Sequence, residues 1–212
     1  MKTRLAFLHT SPPAIAPLMQ YYGREAAEFG IVNLLDDGIL DHFRSGDEAA
    51  AENALGELLD RAHGSYGVKA VLVTCSSVSA AMLASLQRRS PVPLLKVDVP
   101  MAEEAIRRGK RIGVAYTFAP TLGPTTSLFT GRAELRPLLI GGAYDALLAG
   151  DPEAHDRLVL AGLETLRETG VEVIVLAQVS MARVVPQLRP DFGVPVLSSL
   201  ETSLRAIREA LA

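Results

Sequence analysis

The stretch that decides the fold is Val-Leu-Val-Thr-Cys-Ser-Ser-Val-Ser-Ala-Ala, residues 71–81. Its apolar, β-branched start predicts a buried strand, and the small and apolar residues 80–86 predict a helix. Ser76 or Ser77 would cap that helix, because a hydroxyl there accepts a bond from a free N–H one turn later. Cys75 would then lie at the positive end of the helix dipole, which favours a thiolate or a bound carboxylate. The alternative is a small buried apolar residue, a common role of free cysteine.

Composition limits the class of protein. Of the 212 residues, 49% are apolar and 21% are charged, which suits a packed core and argues against disorder. A single cysteine excludes a disulfide framework and fits a reducing compartment. The sequence has no signal-peptide pattern and no apolar run of about 18 residues, so we expect a cytoplasmic protein without a membrane span. A net charge of −3 with scattered basic residues predicts no nucleic-acid partner.

Strands and helices alternate along the whole chain. The predicted strands are largely apolar rather than alternating in most cases, and they lie at residues 5–8, 31–35, 71–74, 92–97, 111–116, 133–139, 171–176 and 194–197. The predicted helices are residues 15–29, 48–62, 80–86, 101–108, part of 117–129, 153–168, 181–188 and 199–211, with Leu158, Val159, Leu163 and Leu166 on one face. Continuous apolar strands between helices indicate an α/β fold with parallel sheets covered on both faces.

The two halves of the chain resemble each other. Three segments of the first half match three of the second in the same order: 4–17 with 111–124, 67–77 with 170–180, and 92–95 with 194–197. One match could arise by chance between buried strands, but three in order favour a duplicated α/β unit. We therefore predict one half formed by residues 1–98 plus 199–212 and another formed by residues 99–198.

Duplication also predicts where a ligand binds. Parallel sheets bind ligands beyond the carboxyl ends of their strands, so the site would lie between the halves. Cys75 matches Gln178 in the alignment, and the two would face each other across this cleft. Hydroxyl and amide side chains follow the relevant strands, and we expect them to bind substrate: Thr10, Ser11, Thr74, Ser76, Ser77, Thr117, Thr121, Gln178 and Ser180.

The ordered set of motifs resembles the aspartate/glutamate/hydantoin racemase superfamily over essentially the whole chain. Val-Thr-Cys75-Ser-Ser matches the cysteine motif of the first half, whereas Leu-Ala-Gln178-Val-Ser stands where the second cysteine motif would be. Thr117 and Thr121 resemble the loop that holds the substrate carboxylate. The resemblance implies two Rossmann-like halves related by a pseudo-two-fold axis, a small carboxylate substrate, no metal or cofactor, and a homodimer or higher homo-oligomer.

In this superfamily one thiolate removes the proton α to a carboxylate and a second thiol protonates the opposite face. Gln178 has no titratable proton, so two-thiol racemisation is not expected here. The resemblance leaves open a one-thiol decarboxylase, an isomerase with Cys75 as nucleophile, and racemisation with His9 or Lys96 as second base. A non-catalytic carboxylate-binding protein of the same fold is the remaining alternative.

Other polar residues carry competing interpretations. His9, at a strand end, is either catalytic or a hydrogen-bonded structural histidine, and Lys96 either reaches the cleft to pair with a carboxylate or extends to solvent. Arg183 follows Gln178 and is expected to be solvated, to pair with an acid or to contact ligand. Residues 36–38, Asp-Asp-Gly, predict a turn. The remaining histidines show no metal-ligand spacing, so no metal site is predicted.

Overall fold

A computed structural model describes residues 2–212 and shows two four-stranded parallel sheets. The first sheet has the order β2-β1-β3-β4, and the second has the order β6-β5-β7-β8. The strands are β1 (Thr3–His9), β2 (Phe29–Leu35), β3 (Ala70–Val73), β4 (Leu94–Lys96), β5 (Arg111–Tyr116), β6 (Glu134–Leu139), β7 (Val173–Leu176) and β8 (Val196–Leu197). The predicted fold class is confirmed. The second sheet repeats the strand order of the first, as a duplicated unit requires.

Helices cover both faces of each sheet. They are α1 (Ile15–Glu25), α2 (Ile39–Ser45), α3 (Glu48–Tyr66), α4 (Ala80–Arg89), α5 (Val99–Arg108), α6 (Leu122–Ser127), α7 (Ala143–Leu148), α8 (Pro152–Glu168) and α9 (Ser199–Leu211). Short 3₁₀ helices lie at Pro12–Ala14, Ala119–Thr121 and Val179–Gln187. No helix in residues 2–212 is long and apolar enough to span a membrane.

The central strand β3 shows why its sequence is apolar without interruption. All of its residues are buried. Val71 and Val73 face an apolar cluster that includes Leu59 of α3, while Leu72 faces the opposite cluster with Leu18 of α1. Each fully buried side chain of this size contributes roughly 1.5–3 kcal/mol from the removal of apolar surface from water. Strand β7 is likewise wholly buried.

The C-terminal helix α9 packs against the first sheet. Its Leu204 and Ile207 share an apolar cluster with Phe7 of β1. The hydroxyl groups of Tyr22 and Ser203 lie 3.0 Å apart in the buried interface between α1 and α9. Helix α9 also packs against α5 and the 3₁₀ helix Val179–Gln187 of the second half, so the assignment of residues 199–212 to the first half stays a prediction.

The start of α4 differs from the prediction. Ser79 caps the helix, accepting a bond from the Met82 N–H at 3.2 Å, and the predicted caps Ser76 and Ser77 lie earlier in a turn. Cys75 is therefore outside the first turn of α4. The helix dipole, whose effect falls off within one turn, cannot be the dominant influence on this thiol.

Other boundaries also differ. Helix α1 ends at Glu25 and β2 begins at Phe29, because the chain turns at residues 26–28 to enter the strand beside β1. The segment after Gln178 is a 3₁₀ helix, Val179–Gln187, that contains a proline, rather than an α-helix. Leu158 is 39% exposed, whereas the other three predicted apolar residues of α8 are buried. Helices α2 and α7 were not predicted, since each is too short to show a period.

Candidate active site

A small cavity of about 40 Å³ lies between the two halves, at the carboxyl ends of the central strands. Eight of the nine predicted binding residues, together with Cys75, line it: Thr10, Ser11, Thr74, Ser76, Ser77, Thr121, Gln178 and Ser180. Thr117 lies behind Gln178 and is not part of the lining. The cavity therefore gathers loops from both sheets, as the duplication predicts.

Cys75 is delivered to the cavity by the end of β3. It is 7% exposed and belongs to the apolar cluster on that face of the first sheet. Burial raises the pKa of the Cys75 thiol, against the opposing effects of the Thr10 hydroxyl, the Ser77 N–H and the charge of Lys96. The predicted stabilisation of a thiolate is wrong for this structure: Cys75 is a protonated thiol at neutral pH, because desolvation outweighs the neighbouring donors.

Gln178 lines the cavity together with Cys75 but is fixed by a different set of bonds. Its Oε1 atom accepts hydrogen bonds from the Thr117 backbone N–H at 2.6 Å and from the Thr117 hydroxyl at 3.1 Å. A backbone N–H can only donate, so the atom facing it must be the amide oxygen. The Gln178 amide nitrogen is thereby left as the polar atom available to a ligand, and it is a donor.

Hydroxyl groups connect the walls of the cavity. The Ser77 and Thr121 hydroxyls lie 3.3 Å apart and join the two halves. Ser11 contacts the Tyr144 hydroxyl at 2.5 Å, again across the halves. These bonds join the two halves beside the cavity. Each hydroxyl oxygen can still accept a further hydrogen bond from a ligand.

His9 lies beneath the cavity rather than in its lining. Its Nε2 atom is 2.9 Å from the Asn33 side-chain oxygen and its Nδ1 atom is 2.9 Å from the Thr74 hydroxyl. Burial lowers the pKa of His9, and the bond to Asn33 opposes this only in part. Both ring nitrogens are occupied and the ring is fully buried, which supports the structural interpretation of this histidine.

Lys96 forms a buried ion pair. Its Nζ atom is 3.1 Å from Asp98 Oδ2, and the two side chains are 2% and 1% exposed. Burial raises the pKa of Asp98, and the adjacent Lys96 charge opposes that rise. Lys96 therefore does not extend to solvent. It is paired with Asp98, which follows the end of β4. Lys96 itself lies beside Val73 of β3 in the sheet.

The cavity lining also contains five apolar or aromatic residues that are not among the predicted binding residues: Ala14, Leu40, Phe118, Tyr144 and Val179. The Phe118 and Tyr144 rings lie 5.4 Å apart, inclined at 44°. Leu40 and Tyr144 belong to the unpredicted helices α2 and α7, which follow equivalent edge strands β2 and β6 in the two halves. Extending the duplication to residues 36–40 and 140–144 could have found them.

A family model described as Asp/Glu/Hydantoin racemase matches residues 35–207. The chain belongs to this racemase family. Its resemblance to individual members is low. The glutamate racemase of Trichodesmium erythraeum is 33% identical over 92 residues, which cover 42% of this chain and 34% of that protein. The glutamate racemase of Levilactobacillus brevis is 38% identical over 53 residues, 24% of this chain and 19% of that protein. The matched segments thus span about a third or less of these curated relatives.

Solved racemases share the fold of this family member. The allantoin racemase of Klebsiella pneumoniae superposes with a TM-score of 0.77 at 17% identity, covering 99% of this chain and 88% of that one. The aspartate racemase of Picrophilus torridus gives a TM-score of 0.75 at 13% identity, with 98% and 94% covered. At these identities the likeness establishes the two-domain α/β fold, and the chemistry must be argued from the site itself.

In this racemase-family chain, Arg183 pairs with an acid. Its Nε atom is 2.7 Å from Asp156 Oδ1, and the Gln187 side chain donates to Asp156 Oδ2 at 2.7 Å. Both donors belong to the 3₁₀ helix Val179–Gln187, so Asp156 of α8 fixes the segment that follows Gln178. Residues 2–212 contain no cluster of three or more His, Cys, Asp or Glu side chains arranged to hold a metal.

Proposed function

We propose that this protein is a cofactor-independent isomerase or lyase that acts at the carbon α to a carboxylate, with Cys75 as its acid/base group. The observation that carries the proposal is the pairing inside one cavity of a buried thiol with an amide that cannot titrate. Proton transfer is therefore available from one side. Membership of a racemase family supports chemistry at an α-carbon.

The donors around the cavity suit a carboxylate. The Ser76, Ser77 and Thr121 hydroxyls and the Gln178 amide would hold the carboxylate and stabilise the enediolate-like anion formed when the α-carbon loses a proton or a carboxyl group. The Thr74 hydroxyl instead donates to the Leu8 carbonyl at 3.0 Å. Fixed hydrogen-bond donors in a desolvated site are effective because they need no reorganisation during the reaction.

Cys75 would then deliver a proton to that anion. The S–H bond breaks as the C–H bond forms, and the resulting thiolate recovers a proton from solvent. Burial, which raises the pKa of Cys75, keeps the thiol protonated for this step. Removal of a substrate proton by the thiolate is the reverse step and becomes easier as pH rises.

A second acid/base group on the opposite face is not supported. Gln178 is committed to Thr117, His9 has both ring nitrogens bonded, and Lys96 is paired with Asp98. The Tyr144 hydroxyl is bonded to Ser11, and burial raises its pKa. We therefore favour one-face chemistry, such as α-proton exchange without inversion or decarboxylation followed by protonation, over racemisation. Isomerisation with Cys75 as nucleophile and α-proton exchange both require the thiolate, which burial disfavours, so either reaction should be faster at high pH, whereas protonation after decarboxylation uses the thiol directly.

The competing candidate is a non-catalytic carboxylate-binding protein. It is favoured by the same burial of Cys75, because a protonated, enclosed thiol is also what an inert cysteine would be. Incubation with amino acids, hydantoins and 2-substituted malonates in D₂O separates the two. The proposal predicts α-deuterium incorporation or CO₂ release that is lost in Cys75→Ser. Carboxylate binding without turnover, or turnover unchanged by Cys75→Ser, would refute it.

A further inference from the structure

The cavity presents no formal charge to a ligand. Within residues 2–212, its lining includes no lysine, arginine, histidine, aspartate or glutamate. The ionisable side chains in the lining are Cys75 and Tyr144, and burial raises the pKa of both. Both are therefore neutral at neutral pH. A substrate in this cavity must find its partners among hydroxyls, amides and apolar surface.

Two cations close to the lining already have carboxylate partners. Lys96 is paired with Asp98 inside the protein, and both groups are almost fully buried. Arg44 lies over the Phe118 ring, 5.4 Å from its centroid, and bonds to Asp41 at 3.0 Å. Asp145, whose charge acts on Tyr144, follows Tyr144 in α7 and is not part of the lining. A ligand inside the cavity therefore meets no charged side chain of the described lining.

The fixed amide of Gln178 further favours ligands that carry a hydrogen-bond acceptor. Because its oxygen is held by the Thr117 N–H and hydroxyl, it offers the cavity N–H donors and no carbonyl acceptor. Such a donor suits a carboxylate or carbonyl oxygen. An ammonium group placed here would lose part of its hydration and gain no anionic partner from the lining, which is costly.

Another part of the cavity lining is apolar. Phe118 and Tyr144 present two inclined rings, and Leu40 and Ala14 complete the surface. An uncharged hydrocarbon substituent packs on such a wall with a gain from the removal of apolar surface from water, whereas a charged side chain does not.

We infer that the substrate is a carboxylate that carries no ammonium group and no second charged group beside its reacting centre, with its α-substituent packed against Phe118, Tyr144 and Leu40. This inference rests on the proposed use of the cavity as a carboxylate site. It excludes free glutamate, aspartate and other zwitterionic amino acids as preferred substrates, and it assigns Phe118, Tyr144 and Gln178 to specificity rather than to proton transfer.

Isosteric ligand pairs test the inference directly. Isobutyrate and alanine differ by exchange of a methyl for an ammonium group, as do 2-phenylpropionate and phenylglycine. Titration calorimetry with the full chain at pH 7.5 should show binding of at least one carboxylate about tenfold or more tighter than its amino-acid partner. A smaller ratio in both pairs, a preference for the amino acids, or binding of neither member of either pair overturns the inference.

A matched variant locates the preference at Gln178. Gln178→Glu preserves the acceptor for the Thr117 N–H but replaces the donor with a carboxylate oxygen, so it should weaken binding of the preferred carboxylate by about tenfold or more. Gln20→Glu adds the same charge on the exposed surface of α1 and should leave binding unchanged. Equal effects of the two variants would contradict a role for Gln178 in the cavity.

Binding and turnover measured separately distinguish a failure of this inference from a failure of the proposed function. If carboxylates bind with the expected preference but show neither deuterium incorporation nor CO₂ release, the selectivity stands and the catalytic proposal fails. If alanine, phenylglycine or aspartate binds and exchanges its α-proton at least as well as the uncharged analogues, the catalytic proposal stands and the inference fails.

Discussion

The loops at residues 74–77 and 177–180 occupy equivalent places in the two halves, yet they are built differently. Each follows the central strand of a sheet with the same order. The first makes a turn before the Ser79-capped helix α4 and places a thiol in the cavity, whereas the second enters a 3₁₀ helix at once and places a tethered amide there. The duplicated fold sets the position of each side chain, and the local sequence sets its chemistry.

The side chains around the two loops also differ between the halves. The first half places the buried Lys96–Asp98 pair beside its loop, while the aligned position in the second half is Ser198, at the start of α9. His9 ends β1, whereas Tyr116 ends the equivalent strand β5. Cys75, His9 and the Lys96–Asp98 pair therefore all belong to the first half, and this asymmetry can be tested at four positions.

The largest effect is expected at the thiol itself. Cys75→Ser retains a similar volume but removes a group able to exchange a proton, so α-deuterium incorporation or decarboxylation should fall by about 10²–10⁴-fold. Proton NMR in D₂O measures the rate. Gln178→Glu, in the equivalent loop, serves as the comparison that keeps the thiol but alters a donor to the substrate. An activity in Cys75→Ser within a few-fold of the parent would show that the two loops do not differ in the way we describe.

The next largest effect concerns the buried ion pair. Lys96→Met leaves the Asp98 carboxyl without its partner and should lower the free energy of unfolding by about 3–5 kcal/mol, measured by urea denaturation. The pKa of Cys75, followed by thiolate absorbance, should rise because a nearby positive charge is lost.

Two controls accompany this variant. The exposed pair Arg89–Asp60, 2.7 Å apart, offers a matched comparison, and Arg89→Met should cost at most about 1 kcal/mol. Replacing both partners in Lys96→Met/Asp98→Leu should recover most of the stability. Equal losses from Lys96→Met and Arg89→Met would mean that burial does not distinguish the pairs.

A smaller loss is expected in the second half. Gln178→Leu deprives the Thr117 N–H and hydroxyl of their acceptor and should cost about 1–3 kcal/mol of stability. Gln178→Glu retains an acceptor oxygen and should cost less. Thermal and urea unfolding of both variants would measure the difference. If Gln178→Leu were as stable as Gln178→Glu, the hydrogen bonds between Thr117 and Gln178 would not contribute to stability.

The smallest effect is a pH dependence confined to the first half. Burial lowers the pKa of His9, so the unfolded chain binds this proton at a higher pH than the folded chain does. Stability should therefore fall as pH drops below the unfolded value, about 6.5. His9→Gln should reduce this dependence when the two urea midpoints are compared between pH 7.5 and 5.5. An identical slope in parent and variant would show that His9 is not held neutral.

Much of the fold was predictable because its inner strands β1, β3, β5 and β7 are largely buried and mostly apolar in sequence. The alignment of residues 67–77 with 170–180 also predicts that Cys75 and Gln178 face one cavity, and both line it. The start of α4 was not predictable, since Ser76, Ser77 and Ser79 are all good caps and the length of the intervening turn is not encoded by residue type.

The charge state of the site could not be predicted either. Residues 71–81 place a cysteine between a strand and a helix, but the pKa of its thiol depends on burial by residues distant in sequence. The Lys96–Asp98 pair and the Phe118–Tyr144 wall likewise arise from tertiary packing. The sequence pattern predicts which loops meet at the cavity. The burial and charge around each side chain follow only from the tertiary structure.

The central claim is that proton transfer is available from the Cys75 face of the cavity alone. Separate enantiomers of 2-phenylpropionate, incubated with the protein in D₂O at pH 9, test it when deuterium content and optical purity are followed in the same samples. We predict that one enantiomer gains α-deuterium while its optical purity is retained. Loss of optical purity at the rate of deuterium entry would require a second acid/base group opposite Cys75 and would contradict the account.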